Sequence, residues 1–187
     1  MLKDIQVRRV RPEESGRFQE LMQAHHYLGA LGKIGETLWY VASWRQEWMG
    51  LLANNTRYCV LPAWHRPNVA SRVLALCERR LCADWLETFG HPILLLETFV
   101  DPRCHRGTLY RATNWIEIGC TRGYRRRQGG YTSTSDSPKL VFLRPLQPQA
   151  RAADRRPRQP SGHRARCLPR GALRRARRIA PITRCAP

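Results

Sequence analysis

Apolar and polar residues alternate at residues 5–10, which predicts a half-buried β-strand. Residues 37–43 and 47–53 predict two strands joined by a short turn, and residues 57–61 predict another strand that ends at Pro62. A continuous apolar run at residues 93–96, leading into 97–101, predicts a strand that is covered on both faces. Two further strands are expected at residues 116–121 and 139–143.

Apolar residues at helical spacing predict three helices. The first begins at Pro12, where a proline and two acids suit a helix start, and His25 lies on its apolar stripe. The second spans residues 69–89, and Asn68 is a residue type that caps a helix N-terminus. A short third helix is expected at residues 107–115.

The order of the elements is strand, helix, three strands, helix, strand, helix and two strands. This order predicts an α+β fold with a mixed central sheet between helices. The strands at residues 58–61 and 93–99 are expected to pair through a helical crossover. The order is similar to the architecture of GNAT acyltransferases, and this GNAT-like domain is expected to span residues 1–148. One fold carries many functions, so the likeness concerns the fold alone.

The charge of the chain is strongly positive and unevenly distributed. Lys and Arg number 33 against 14 acids, a net charge of +19, which favours contact with a polyanion. Residues 151–187 hold twelve arginines, five prolines, one acid and no aromatic residue. This composition predicts a disordered Arg/Pro-rich tail at residues 149–187. The tail is either an arm that binds phosphate backbone or the product of a shifted reading frame without a function.

Several classes of protein are disfavoured by the sequence. No run of 18 apolar residues occurs and no secretory signal opens the chain, so we expect a cytoplasmic protein that does not span a membrane. The seven cysteines form no CxxC pair, which argues against both a disulfide scaffold and a metal site. No sequence motif calls for a cofactor.

Two pairs of side chains are candidates for catalysis. His25 and His26 are adjacent on the first helix, so one is expected to face the core and the other solvent. Either could act as a general base or contact a substrate, whereas the core histidine could also serve only the packing. Glu97 and Asp101 stand near the end of a predicted buried strand, where sites form in open α/β sheets. An ion pair for Glu97 and a turn cap for Asp101 are the alternatives.

Basic residues interleaved with aromatic ones favour contact with the backbone and bases of nucleic acid, and a solvated basic face is the alternative. Arg66 and Asn68 open the second helix, whose amides suit a phosphate. The other candidates are Arg111, Arg122, Arg125, Arg126 and Arg127. Acyl-CoA is disfavoured at this helix start, because the loop has no glycine and Pro67 lacks an amide hydrogen.

Several motifs resemble the DruA family of the Druantia anti-phage systems, whose related domains also precede transposase-like domains in bacterial mobile elements. The resemblance covers about residues 10–147. The motifs are HHYLG (25–29), GETLWYVA (35–42), NNTRY (54–58), PNVASRVL (67–74), ADW (83–85), ETFVDP (97–102) and GTLYRA (107–112). This chain departs from the family's pattern near residues 50–54, where it lacks an internal segment, and again after residue 149.

The resemblance implies a DNA-associated protein of anti-phage defence or of a mobile element, with other proteins of such systems as partners. Two alternatives stay open from the sequence. The GNAT-like order of elements is compatible with an acyl-CoA-dependent acyltransferase. The missing segment and the unrelated tail are compatible with a degenerate gene remnant.

Overall fold

The computed structural model describes residues 1–30, 35–54, 57–123, 126–127, 130–131, 137–147 and 150, and of residues 126–127 and 130–131 it describes the backbone alone. Within these residues, no helix has both the length and the apolar character that crossing a bilayer requires. The predicted tail at residues 149–187 lies outside the described residues except for Ala150, and so does Arg125.

Four strands form an antiparallel sheet in the order β1-β2-β3-β4. They are Gln6–Arg9 (β1), Trp39–Trp44 (β2), Glu47–Ala53 (β3) and Arg57–Val60 (β4). Between β2 and β3, Arg45 and Gln46 have φ values of 49° and 69°, the left-handed pair that a tight two-residue hairpin requires. Every residue of β3 after Glu47 is buried, because both faces of this sheet are covered.

A second antiparallel sheet holds three strands in the order β5-β9-β6. The strands are Leu95–Val100 (β5), Ile116–Cys120 (β6) and Leu140–Pro145 (β9). Arg126–Arg127 (β7) and Gly130–Tyr131 (β8) form a separate two-stranded pair. The α+β class and the predicted order of the main elements are therefore confirmed.

Helices cover the first sheet on both faces. The helices are Ser15–His25 (α1), Val69–Phe89 (α2) and Thr108–Ala112 (α3), and single 3-10 turns occupy Leu2–Asp4, Pro12–Glu14 and Pro62–Trp64. α1 contributes Phe18 and Met22 to a buried cluster on one face. α2 contributes Val73 and Leu81 to the larger cluster on the other face. That larger cluster also contains Phe142 of β9, so one core joins the two sheets.

The two ends of α2 differ in how their backbone is satisfied. Gly90 ends the helix in the left-handed conformation, and its amide donates to the carbonyl of Leu86. Asn68 occupies the N-cap position, as the sequence predicts, but its φ of 64° is left-handed and its side chain makes no capping hydrogen bond. The expected Asn68 side-chain cap is therefore wrong, because the left-handed turn directs the chain into the helix without it.

Two expectations about β5 are corrected by the structure. The crossover was expected to pair β4 with β5, but no ladder joins these strands in the part of the chain that is described. β4 is an edge of the first sheet and β5 an edge of the second, so the two strands belong to separate sheets. β5 was also expected to be buried on both faces, whereas Leu95, Glu97 and Phe99 are exposed and alternate with buried residues.

Candidate active site

Three aromatic rings that are far apart in the sequence form one stack at the end of α1. The ring centroids of His26 and Tyr27 lie 4.8 Å apart with an interplanar angle of 29°. The edge of His105, in the loop between β5 and α3, meets Tyr27 with a centroid distance of 5.5 Å. We call His26, Tyr27 and His105 the aromatic triad.

The end of α1 determines where the triad lies. The helix ends at His25, and His26 adopts an extended conformation with φ −100° and ψ 130°. The thiol of Cys59 in β4 donates to the carbonyl of His25 at 3.5 Å, which seats this helix end on the edge of the first sheet. Gly29 then turns the chain at a φ of 67°, and its amide donates to the carbonyl of His26 at 2.7 Å.

This local geometry corrects the roles expected for the two histidines. His25 was expected to face the core because it continues the apolar stripe, but its side chain is exposed. His26 is the partly buried ring, since the helical spacing of about 100° no longer applies once the helix has ended. Burial, followed by the charges of Arg57 and His105, lowers the pKa of His26 to about 4.

The tautomer of His26 follows from its hydrogen bond. Nδ1 accepts from the amide of Leu28 at 3.1 Å, so in the neutral ring the proton lies on Nε2. With a pKa of about 4, the ring is neutral at physiological pH. His26 therefore presents a neutral hydrogen-bond donor at Nε2, which does not fit the general-base role expected for it.

Asp101 anchors the loop that carries His105. Its carboxylate is buried and accepts from Nη2 of Arg103 at 2.7 Å and from the Arg103 amide at 2.9 Å. Its carbonyl accepts the amides of Cys104 and His105 at 3.1 and 2.9 Å. The hydrogen bond from Arg103 is the main reason that the pKa of Asp101 is lowered. This arrangement matches the turn-capping alternative for Asp101.

Glu97 does not join Asp101 in a pair of carboxylates. Its side chain is exposed on β5, whereas Asp101 is buried against Arg103 beyond the end of the strand. Glu97 instead lines a cavity of about 180 Å³ between α2, the end of β3 and the start of β5. Of the four catalytic candidates, the structure brings His26 and Asp101 to the triad, leaves His25 on the surface beside it, and places Glu97 elsewhere.

Of the basic residues proposed for nucleic acid, Arg66, Arg111 and Arg122 are exposed, but the guanidinium of Arg111 is already engaged. Nη2 and Nε of Arg111 donate to Glu117 at 2.7 and 3.0 Å, and Nη1 donates to the carbonyl of Arg106. Arg66 lies over the ring of Trp64 at 5.9 Å, and Arg122 is also exposed. Arg126 and Arg127 are described only as the backbone of β7, and Arg125 lies outside the described residues.

Sequence reasoning missed three members of this site: Tyr27, Arg57 and His105. Tyr27 and His105 were not distinguishable from surface aromatic and imidazole side chains, because only the folded chain brings α1 over the loop after β5. Burial, followed by the charge of Asp101, raises the pKa of Tyr27, so its hydroxyl stays protonated at neutral pH. The adjacent histidines His25 and His26 are the sequence signal that indicates a site at this end of α1.

Comparison of the sequence with protein-family models gives no match, and comparison with curated proteins gives none either. Solved structures do match. A spermidine N-acetyltransferase from Vibrio cholerae in complex with CoA and spermine is 8% identical, with 77% of this chain and 96% of that chain covered and a TM-score of 0.51.

Two further structures match over a similar extent. A GNAT-family acetyltransferase from Streptococcus pneumoniae is 12% identical, covers 75% of this chain and 99% of its own, and has a TM-score of 0.50. A ribosomal-protein-S5-alanine acetyltransferase from Vibrio fischeri is 11% identical, with 78% and 94% covered and a TM-score of 0.50. At these identities the likeness concerns the fold. The chain has the α+β fold of the GNAT acetyltransferases.

Proposed function

We propose that this chain is an acyltransferase that moves an acyl group from acyl-CoA to an amine. The observation that carries the proposal is the aromatic triad, which lies where the end of α1, the edge strand β4 and the loop after β5 meet. β4 and β5 are edge strands of separate sheets, and strand edges present unpaired backbone groups to an extended ligand. The Vibrio cholerae enzyme that shares this fold is in complex with CoA and spermine.

The start of α2 is compatible with the phosphates of CoA. The sequence disfavours acyl-CoA here because the loop has no glycine. Asn68 supplies the left-handed turn that glycine often provides, with φ 64°. Its side chain caps none of the first-turn amides of α2. Of these amides, only that of Val69 has a backbone acceptor among the described residues, the carbonyl of Arg66 at 3.3 Å, and the exposed Arg66 is in the same loop. Arg66 and these amides would hold the phosphate groups.

The chemistry assigns distinct tasks to the triad. The amine nitrogen bonds to the acyl carbon, the carbon–sulfur bond of the thioester breaks, and CoA leaves as a thiolate that takes up a proton. Nε2 of His26 donates a hydrogen bond to the negative charge that develops on the carbonyl oxygen or on the sulfur. His105 is exposed and takes the proton that the amine loses.

Turnover of acetyl-CoA with a panel of amines tests this assignment, with release of the CoA thiol as the signal. His26→Phe, which keeps a ring but has no donor, is expected to lower kcat by about a hundredfold while the Kd for acetyl-CoA stays unchanged. His25→Phe is the matched control, because His25 is adjacent and exposed, and it should leave kcat as in the wild type. Equal kcat values for the two variants would contradict the role of His26.

A second candidate function is favoured by the charge of the chain. The chain has 33 basic residues against 14 acids, which favours contact with a polyanion. A DNA-associated protein of the DruA type is therefore the second proposal. Fluorescence anisotropy with duplex DNA tests it, because affinity that depends on phosphate contacts falls steeply as salt rises. Arg66→Ala should weaken binding and flatten the salt slope. Arg111→Ala should have little effect, since Glu117 already neutralises that guanidinium.

A further inference from the structure

Two arginines and two tryptophans form one cluster at the end of the first sheet where the β2–β3 turn lies. The guanidinium carbon of Arg45 lies over the ring of Trp44, 4.4 Å from its centroid. The rings of Trp44 and Trp64 meet edge to face with their centroids 5.6 Å apart. The guanidinium carbon of Arg66 lies over the ring of Trp64 at 5.9 Å. We call these four residues the Arg–Trp cluster.

The fold brings the two halves of the cluster together from separate parts of the chain. Arg45 is in the turn between β2 and β3, whereas Arg66 follows β4 in the loop that leads into α2. The end of β4 pairs with the first half of β3, so the loop after β4 returns to the turn. Trp64 belongs to the buried core and Trp44 packs against it, so the two indoles are fixed supports for the exposed guanidinium groups.

The guanidinium groups of Arg45 and Arg66 form no ion pair with a carboxylate in the described part of the chain. Nη1 of Arg66 lies 3.8 Å from Sδ of Met1, which is a weak acceptor. Glu47 is the acid nearest to Arg45 in the sequence, and it is exposed and makes no ion pair with it. Both positive charges are therefore available to an external anion.

The support from the indoles prepares these charges for phosphate. A guanidinium that stacks on an aromatic face keeps the N–H donors at its edges free, and these donors match two oxygens of one phosphate group. The three short distances within the cluster keep the two guanidinium groups within reach of one strand of DNA, in which a phosphate recurs about every 3.4 Å along the axis.

The backbone at Arg45 favours a different residue. The φ values of Arg45 and Gln46 are 49° and 69°, and a two-residue turn of this kind prefers Asn followed by Gly. Other side chains in the left-handed region cost roughly 1 to 2 kcal/mol per residue. The stability of the turn therefore does not explain the arginine, whereas an outward contact does.

The phosphate backbone of a nucleic acid fits this surface better than an anionic membrane. A basic surface that binds lipid also inserts apolar side chains into the membrane. Among the described residues, none of the large apolar side chains that are exposed lies in the β2–β3 turn or in the loop after β4. Phosphate contacts require only the guanidinium donors.

We propose that the Arg–Trp cluster is a contact surface for the phosphate backbone of DNA, with Arg45 and Arg66 on phosphates of one strand. Arg45 is an addition to the basic residues expected from the sequence. The inference rests on the second candidate function, DNA association, and names the surface that carries it.

Fluorescence anisotropy of the full chain with a short duplex, at several salt concentrations, tests this surface. Arg45→Asn removes the charge and supplies a residue that the turn favours, so affinity should fall while the melting temperature stays or rises. Loss of one phosphate contact should flatten the slope of log affinity against log salt by about 0.9, which is about tenfold in affinity at about 50 mM salt. Arg66→Ala should have the same effect, and the double variant should lose about twice the slope.

Arg79→Ala is the matched control. Arg79 is exposed and lies about 15 Å along α2 from its start, so the variant removes the same charge away from the cluster. The twelve arginines of residues 151–187 are present in every variant, so their attraction for DNA cancels in the comparison. Equal losses for Arg45→Asn and Arg79→Ala would overturn the proposal, although DNA association would stand. A wild-type chain that does not bind the duplex would overturn both.

Sedimentation with vesicles of phosphatidylserine and phosphatidylcholine tests the membrane alternative. Arg45→Asn and Arg79→Ala are expected to sediment with the vesicles to the same extent, because the cluster has no part in lipid binding. Vesicle binding that only Arg45→Asn loses, together with unchanged affinity of this variant for the duplex, would overturn the proposal.

Discussion

Protonation of His26 is expected to destabilise the folded chain in mildly acidic solution. The pKa of its imidazole is lowered to about 4 from an ordinary 6.5, first by burial and then by the charges of Arg57 and His105. Between these two pH values the unfolded chain binds a proton that the folded chain excludes. The free energy of unfolding therefore falls as the pH drops through this window.

The size of the effect follows from the two pKa values. One pKa unit corresponds to about 1.4 kcal/mol, so the full window corresponds to about 3 kcal/mol. Between pH 7 and pH 5 the expected loss is about 2 kcal/mol. The ring is only partly buried, and solvent reaching it reduces the loss below this figure.

Urea unfolding at several pH values, followed by tryptophan fluorescence, measures this loss. Other groups titrate in the same range, so the informative quantity is the difference between the wild type and His26→Gln at each pH. That difference should change by about 1 to 2 kcal/mol between pH 7 and pH 5, in the direction that destabilises the wild type in acid. His25→Gln, at an exposed position, should run parallel to the wild type. Parallel curves for wild type and His26→Gln would refute the reasoning.

Two further predictions concern packing and a buried polar network, both measured by urea unfolding. Gly107→Ala should destabilise the fold by about 2 to 4 kcal/mol, because its φ is 69° and a Cβ would lie 2.7 Å from the Phe142 ring. Gly90 has a similar φ of 76°, but an added Cβ would meet no atom within 4 Å. Gly90→Ala should therefore lower the free energy of unfolding by only about 1 kcal/mol, and an equal loss for the two variants would contradict the clash at Gly107. Asp84→Asn should lower the free energy of unfolding by about 2 to 4 kcal/mol, because this buried carboxylate accepts a hydrogen bond from the hydroxyl of Tyr40 and forms an ion pair with Arg80. Tyr40→Phe should lower the free energy of unfolding by only about 1 kcal/mol, because it removes one hydrogen bond. A larger loss for Tyr40→Phe than for Asp84→Asn would contradict this prediction.

Much of the fold could be predicted because its signals are local. The bounds of β3 and α2 follow from apolar spacing and from flanking residues such as Gly90. The split between β4 and β5 could not be predicted, because a crossover helix is compatible both with paired strands and with strands in separate sheets. The exposure of Glu97 and Phe99 could not be predicted either, because it depends on which described elements pack against each face of the second sheet.

The candidate site was predicted only in part, for the same physical reason. His26 and Asp101 were named from local patterns. Their surroundings depend on where α1 ends and on the loop that brings His105 to Tyr27. The Arg–Trp cluster carries no local signal either, because only the fold brings its two halves together. The DruA resemblance stays a proposal alongside these findings.

Direct titration of the full chain with acetyl-CoA tests the central claim, that the chain binds acyl-CoA beside the aromatic triad and the start of α2. We expect saturable one-site binding and a rise in the melting temperature as acetyl-CoA is added. Arg66→Ala should weaken this binding, because Arg66 stands at the uncapped start of α2. No heat of binding and no shift in the melt at about 1 mM acetyl-CoA, the upper end of common KM values, would contradict the claim.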